Sequence, residues 1–189
     1  MTIRTLFALL LAIAWLPVAA EPVTYRVDPD HTSVHFEAKH FATSSLRGRF
    51  DRKEGAVVLD RAAKTGRAEV TFEIDSLNTP VVGFTNAVKG KNFLNAAEFP
   101  TAKFVGDQFT FEGDKLTAVG GNLTLVGKTN PIKMTAITFN CYESSMLKRE
   151  VCGGDFEATI QRSQWGMVAN AGSVGDSIKL LIQIEAIRQ

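Results

Sequence analysis

Three histidines, His31, His35 and His40, fall within ten residues, the kind of cluster that in other contexts ligates a transition metal or a haem iron. A strand through this region argues against a shared ion. His31 and His35 have the same parity, yet four residues of strand span ~13 Å at ~3.3 Å each, too far for one metal without a bulge. His35 and His40 face opposite sides. His40 continues the apolar parity of Val34, Phe36 and Ala38, which suits a core or barrel-mouth histidine or a polar contact to a ligand head group. No metal is expected.

Other motifs fail on spacing. Gly121 to Thr129 ends in the Gly-Lys-Thr of a phosphate-binding loop, but five residues separate its glycines where the motif takes four. The chain then runs through Pro131 into a strand, where a helix N-terminus would be required to hold the phosphate. A hairpin turn is the expected structure. Gly172-Ser173-Val174-Gly175 is not the Gly-x-Ser-x-Gly of a nucleophile elbow and has no strand-to-helix context, so it reads as a loop. Asp28 and Asp30 flank Pro29 and read as turn residues before a strand.

Cys141 and Cys152 stand eleven positions apart. The N-terminus, with Arg4, an apolar run from Leu6 to Leu16 and small residues at Val18 and Ala20, reads as a secretory signal cleaved before Glu21. That run is too short to cross a bilayer core of ~30 Å. Export leads to an oxidising compartment, so the cysteines are expected to be bridged, a staple worth roughly 3 kcal/mol. The Cys-x-x-Cys spacing of redox enzymes is absent. Gly153-Gly154 reads as a tight turn just after the second cysteine.

The elements that would position these residues are strands. From Arg67 to Asp75 apolar and polar residues alternate without exception, with Ala68, Val70, Phe72 and Ile74 on one face. The C-terminus repeats the pattern through Ile178, Leu180, Ile182, Ile184 and Ala186, broken mildly by Leu181 and Ile187. Further strands are expected over Val23–Val27, Val34–His40, Gly55–Asp60, Ala102–Val105, Gln108–Glu112, Leu116–Val126, Ile132–Asn140 and Asp155–Gln161. Phe84 to Ala97 predicts one short helix or two turns, weakened by Gly90. Regularly spaced short strands with little helical periodicity predict an all-β antiparallel sandwich or barrel, and no second domain.

Composition narrows the partners. The 189 residues carry 21 Lys and Arg against 20 Asp and Glu, and removing residues 1–20 takes away only Arg4, leaving a neutral chain. Neutrality argues against nucleic acid and against a polybasic membrane-surface mode. Thirteen Phe against two Trp and two Tyr is an unusual mix, since Phe contributes apolar area and no polar handle. Composition leaves open whether these rings pack on one another or line a cavity.

The stretch Tyr25 to Phe36, followed by Lys39-His40-Phe41, resembles the opening of the YceI-like family. Leu46 to Phe50, Asn92 to Asn95 with Phe99 to Phe104, Gly121 to Thr129, and Arg162 to Met167 agree in the family's order. The resemblance implies an exported, periplasmic, lipocalin-like antiparallel β-barrel with a short helical segment, one domain over residues 21–189. Its hydrophobic cavity would hold a polyisoprenoid chain, an isoprenoid quinone such as ubiquinone or a polyprenyl precursor, drawn from a membrane by transient contact.

On that reading no cofactor is required, and the ligand wall comprises Phe36, Ala38, His40, Phe50, Phe72, Phe84, Phe93, Leu94, Phe99, Phe109, Phe111, Met134, Phe139, Phe156, Arg162 and Trp165. His40 and Arg162 are the head-group candidates. The segment from Asn140 to Phe156 resembles a branch of the family with a cysteine pair, which places Cys141 and Cys152 outside the shared ligand site. Asn95 and Ala96 depart from the commoner, more charged pattern near the cavity entrance. A homodimer is compatible with the sequence. Two other classes stay open: an enzyme acting on an isoprenoid, with His40 as its acid or base, and an interaction module without ligand.

Overall fold

In the computed structural model, which describes residues 21–189, the alternating segments form the strands of one antiparallel sheet. The expected signal segment, residues 1–20, lies outside the described residues. The strands are β1 (Val23–Val27), β2 (Ser33–His40), β3 (Ser44–Phe50), β4 (Lys53–Asp60), β5 (Thr65–Glu73), β6 (Leu77–Asn78), β7 (Thr101–Glu112), β8 (Lys115–Leu125), β9 (Lys128–Ala136), β10 (Asn140–Ser144), β11 (Arg149–Gln161) and β12 (Val174–Arg188). Among the described residues there is one α-helix, α1, spanning Val82–Lys89.

Pairing runs β11-β9-β8-β7-β5-β4-β1-β12, and β12 pairs again with β11 from Ser177↔Gln161 to Ile187↔Val151, which closes these strands into a ring. The seam at β9–β11 is held by only two residue pairs, Ala136↔Phe156 and Thr135↔Glu157. Beside β1, the free half of β12's edge pairs with β2, and β2 with β3. Thus β1 and β2 serve as one long strand, interrupted at Pro29. The interruption is a turn, as expected: Asp28 Oδ1 accepts the Asp30 N–H at 2.9 Å and Oδ2 lies 2.8 Å from His31 Nδ1.

Inward positions of this barrel follow strand parity. On β12, Ile178, Leu180, Ile182 and Ile184 face in against Ala38, Phe36 and Val34 of β2 and Ile160 and Phe156 of β11. The most deeply buried side chains include Ile74, Leu77, Leu116, Trp165 and Val151, of which Leu77 and Leu116 also border the barrel interior.

Several expectations are corrected. Ala102–Val105 and Gln108–Glu112 are one strand, β7, because a bulge between Gly106 and Gln108 carries the ladder past the apparent break. Ile132–Asn140 is two strands. The chain leaves the ladder at Ile137, whose N–H donates to Asp155 O at 2.8 Å, and resumes as β10. That crossing explains a third correction: Gly153 and Gly154 lie within β11, not in a turn. A Cβ on Gly154 would stand 2.0 Å from Thr138 O, so only glycine admits the crossing chain.

Three further differences concern ends and edges. Asp75 sits in a 3-10 turn, Ile74–Ser76, beyond the end of β5. The helix starts at Val82 and stops at Lys89, and Gly90 to Ala97 is turn and irregular chain. The strand β3 was not expected, since Leu46, Gly48 and Phe50 give its inner face only two apolar side chains.

Candidate functional site

The ring encloses a cavity of about 650 Å³, within the range of roughly 300–1,000 Å³ usual for small-molecule sites. Its wall is almost wholly apolar. Phe36, Phe50, Phe72, Phe109, Phe139, Leu180 and Ile182 point into it and are only half-buried, so the surface they leave uncovered faces inward. The rings of Phe36, Phe50 and Phe72 form a row, with successive centroids 6.4 Å apart. Gly48 makes room for the first of them, since a Cβ there would stand 2.5 Å from the Phe36 ring.

One end of the cavity is sealed. Tyr25, Leu59, Cys152 and Ala186 are buried against each other there. The Tyr25 hydroxyl donates to Glu150 Oε2 at 2.7 Å, and Arg61 Nη2 reaches Glu150 Oε1 at 2.6 Å. Burial first, then the hydrogen bond and charge of Glu150, push the Tyr25 hydroxyl up to about 12. At the other end His40, Val81, Phe84 and Asn170 line the cavity and are exposed, which marks its mouth.

Arg162 is 3% exposed beside that mouth. Its Nε donates to Gly175 O at 3.0 Å, Nη2 to Val174 O at 2.9 Å and Nη1 to Met167 O, and its Cζ lies 5.8 Å from the centroid of the Phe93 ring. Next to it, Asp176 accepts the Ser163 hydroxyl and N–H at 2.7 and 2.8 Å. Those bonds, the hydroxyl first, hold the Asp176 carboxyl below its ordinary value. The guanidinium thus ties the 3-10 turn Arg162–Trp165 to the start of β12 while keeping a cation in the cavity wall.

Of the side chains expected on the ligand wall, Phe36, Ala38, His40, Phe50, Phe72, Phe84, Phe93, Leu94, Phe109, Met134, Phe139, Phe156 and Arg162 line the cavity. Three do not. Trp165 is 1% exposed and donates its Nε1–H to Leu123 O at 3.1 Å, a core plug beside the barrel. Phe99 lies over the β8–β9 turn, its ring 2.6 Å from where a Cβ on Gly127 would stand. Phe111 packs into the core opposite Leu116. Cys152, expected outside the ligand site, lines the sealed end, and a disulfide joins it to Cys141.

Sequence reasoning missed Tyr25 and Leu46 as wall residues and passed over the aliphatic row of β12, although its parity was plain. The lookalike phosphate loop is a hairpin: Val126 and Gly127, at φ 49° and 70°, connect Leu125 to Lys128. Ser173 sits in a turn and its carbonyl accepts the Phe41 N–H at 2.7 Å. The histidines are dispersed, with His31 on Asp28, His35 on the outer face of β2 and His40 at the mouth.

A family model described as the YceI-like domain matches residues 25–186. The chain belongs to the YceI-like family. Among its relatives in this family, a UPF0312 protein of Shewanella denitrificans is 28% identical over 194 residues, 97% of each chain. The crystal structure of Burkholderia cenocepacia BcnA superposes with a TM-score of 0.69 at 22% identity, covering 85% of this chain and 99% of that one. A polyisoprenoid binding domain from Saccharophagus degradans, implicated in plant cell wall breakdown, superposes at 0.63 with 13% identity, covering 88% and 99%. The YceI-like barrel is therefore the fold of this chain, lipocalin-like and antiparallel as expected.

Proposed function

We propose that this YceI-like protein is an exported, periplasmic carrier that holds one polyisoprenoid chain, an isoprenoid quinone such as ubiquinone or a polyprenyl precursor, with its head group at the His40 end. The observation that carries the reading is the inward-facing apolar surface of about 650 Å³ of cavity, left half-covered by the protein's own packing. Family membership and the polyisoprenoid-binding domain among its structural neighbours support it.

The energetics favour exchange with a membrane over capture from water. At ~0.8 kcal/mol per buried CH₂, a tail of about forty carbons would sum past the ~18–21 kcal/mol ceiling of non-covalent affinity. A bilayer is as apolar as the barrel, so transfer from it is near break-even in hydrophobic terms and ordering of the tail opposes it. Shape of the cavity and a few polar contacts then decide which lipid stays. The polar groups at the mouth are His40 and, behind Phe93, Arg162.

Native mass spectrometry of protein purified without detergent, followed by organic extraction, tests this directly. A bound isoprenoid is the expected result. The reading is overturned if nothing co-purifies and delipidated protein takes up neither an isoprenoid quinone nor a polyprenyl phosphate from vesicles.

A further inference from the structure

Three segments far apart in sequence surround the mouth: the β2–β3 turn with Phe41, the run from Thr79 into α1, and the turn from Gly166 to Ser173. The closure of the sheet brings them together. The Phe41 N–H donates to Ser173 O at 2.7 Å, and β6, paired antiparallel to β3, delivers Thr79 and Val81 to the same end as Ser44. Each segment presents large apolar side chains to solvent: Phe41 is 64% exposed, Val82 75% and Val168 65%, with Val81 and Phe84 also uncovered. Not one residue of α1 is buried, although Phe84, Ala87 and Val88 line the cavity from it.

The charge of these three segments is positive, and the carboxylate that follows the third of them, Asp176, is held by the Ser163 hydroxyl and N–H. Residues 39–47, 79–91 and 166–175 contain Lys39, Arg47, Lys89 and Lys91 with His40, and no Asp or Glu. Among the described residues Arg47 alone of these is ion-paired to a carboxylate, Glu37 of β2, at 2.5 Å, and Lys89 Nζ donates to a carbonyl, Asp75 O, at 2.5 Å. At the sealed end the β4–β5 and β7–β8 turns mix signs, with Asp60, Glu112 and Asp114 beside Arg61, Lys64 and Lys115.

We infer that the mouth rim docks on an anionic lipid bilayer, with Phe41, Val82 and Val168 entering the interface and Lys39 and Lys91 meeting the head groups. An exposed apolar patch rimmed by cations is what such a surface attracts. The position is the one a lipid would have to cross between bilayer and cavity. This surface is local to the mouth and does not require a charged chain overall, so the neutral composition does not exclude it. The inference rests on the carrier reading for its purpose, but its geometry stands apart from what the cavity holds.

The test is flotation of the purified mature protein with vesicles of phosphatidylcholine alone and of phosphatidylcholine with phosphatidylglycerol in equal amounts. Wild type is expected to float with the anionic vesicles and to be released by salt. The double variant Phe41→Ser/Val82→Ser, altered only at exposed positions, is expected to bind at least about tenfold more weakly.

The β10–β11 turn supplies the control, because Met146 and Leu147 are exposed there beside Lys148 and Arg149 without bordering the cavity. Met146→Ser/Leu147→Ser should float as wild type does. Absence of wild-type flotation, or an equal loss in the Met146/Leu147 variant, overturns the inference. So does a dimer, seen by sedimentation without vesicle binding and abolished by Phe41→Ser/Val82→Ser, since a second copy would then cover the rim. Lipid content by organic extraction is read separately: flotation with an empty cavity would refute the carrier and leave the docking surface standing.

Discussion

Tyr25 and Glu150, 125 residues apart, meet at 2.7 Å across the sealed end of the cavity, where the phenol donates to a carboxylate that also holds Arg61 at 2.6 Å. Arg188 stands 3.9 Å from the same carboxylate. The first strand of the chain, the eleventh strand and the C-terminus are thereby fastened at one point, and the barrel has a closed floor opposite its mouth.

The phenol at this point should resist ionisation. With Tyr142 replaced by Phe, the remaining tyrosine, Tyr25, is expected to titrate in ultraviolet absorbance at about 12, not at 10.0. Its folded state prefers the proton, so the associated stability is full below the ordinary value of 10.0 and is lost as pH climbs from there through about 12. Glu150→Gln should bring the midpoint down. A midpoint near 10.0 in the otherwise wild-type site would show that Tyr25 is neither buried nor bonded as described.

Cys141 and Cys152 are direct partners in the β10–β11 ladder, with Cα atoms 4.0 Å apart. Untreated, denatured protein should show no free thiol. Reduction, or replacement of both by Ala, is expected to lower stability by roughly 3 kcal/mol without opening the ring, because β11 keeps its long pairing with β12. Thermal unfolding with and without reductant measures the loss.

How much of this was legible follows from the range of the signal. Strand parity is a local pattern, so β5 and β12 could be read from their own residues, as could the inward direction of Phe36 and Phe72. The same rule misplaced Phe111, because parity assigns a face but not whether the neighbour across it is a void or Leu116. Trp165 and Phe99 were misplaced for a different reason: they sit in turns, where no period applies. Gly153-Gly154 carries a composition that suits a turn as well as a crossing of chains, and only the approach of Thr138 O decides between them. The mouth, assembled from three segments that the sheet brings together, has no signature within any one of them.

Arg162 offers a sharper separation of structure from binding. Its three bonds to Gly175 O, Val174 O and Met167 O leave those carbonyls without that partner if the side chain is removed. Arg162→Ala is expected to cost delipidated protein about 3 kcal/mol or more in denaturant unfolding, since bonds to a charged group are worth ~1.5–3 kcal/mol each. Arg162→Lys should recover only part of it, lacking the fork that spans three acceptors. Unchanged stability in the Ala variant, with lipid lost, would assign the residue to the head group alone.

Phe36 tests whether the wall faces a lipid. It lies between Gly48 of β3 and Leu180 of β12, half-buried, its ring tilted against Phe50 at 6.4 Å. A fully packed Phe costs roughly 3–5 kcal/mol when cut to Ala, because the void keeps its shape and the lost contacts are not replaced. Phe36 already borders empty volume, so Phe36→Ala should cost delipidated protein less than that. Trp165, 1% exposed and outside the cavity wall, supplies the reference: Trp165→Ala should fall within the full range. The two substitutions must be compared without ligand, since bound lipid stabilises by mass action and would blur them. With lipid present the order of effects should reverse in one respect, Phe36→Ala releasing the isoprenoid at lower temperature than wild type while the barrel itself stays folded. Equal losses at Phe36 and Trp165 in delipidated protein would make Phe36 ordinary core and remove the aromatic row from the binding surface.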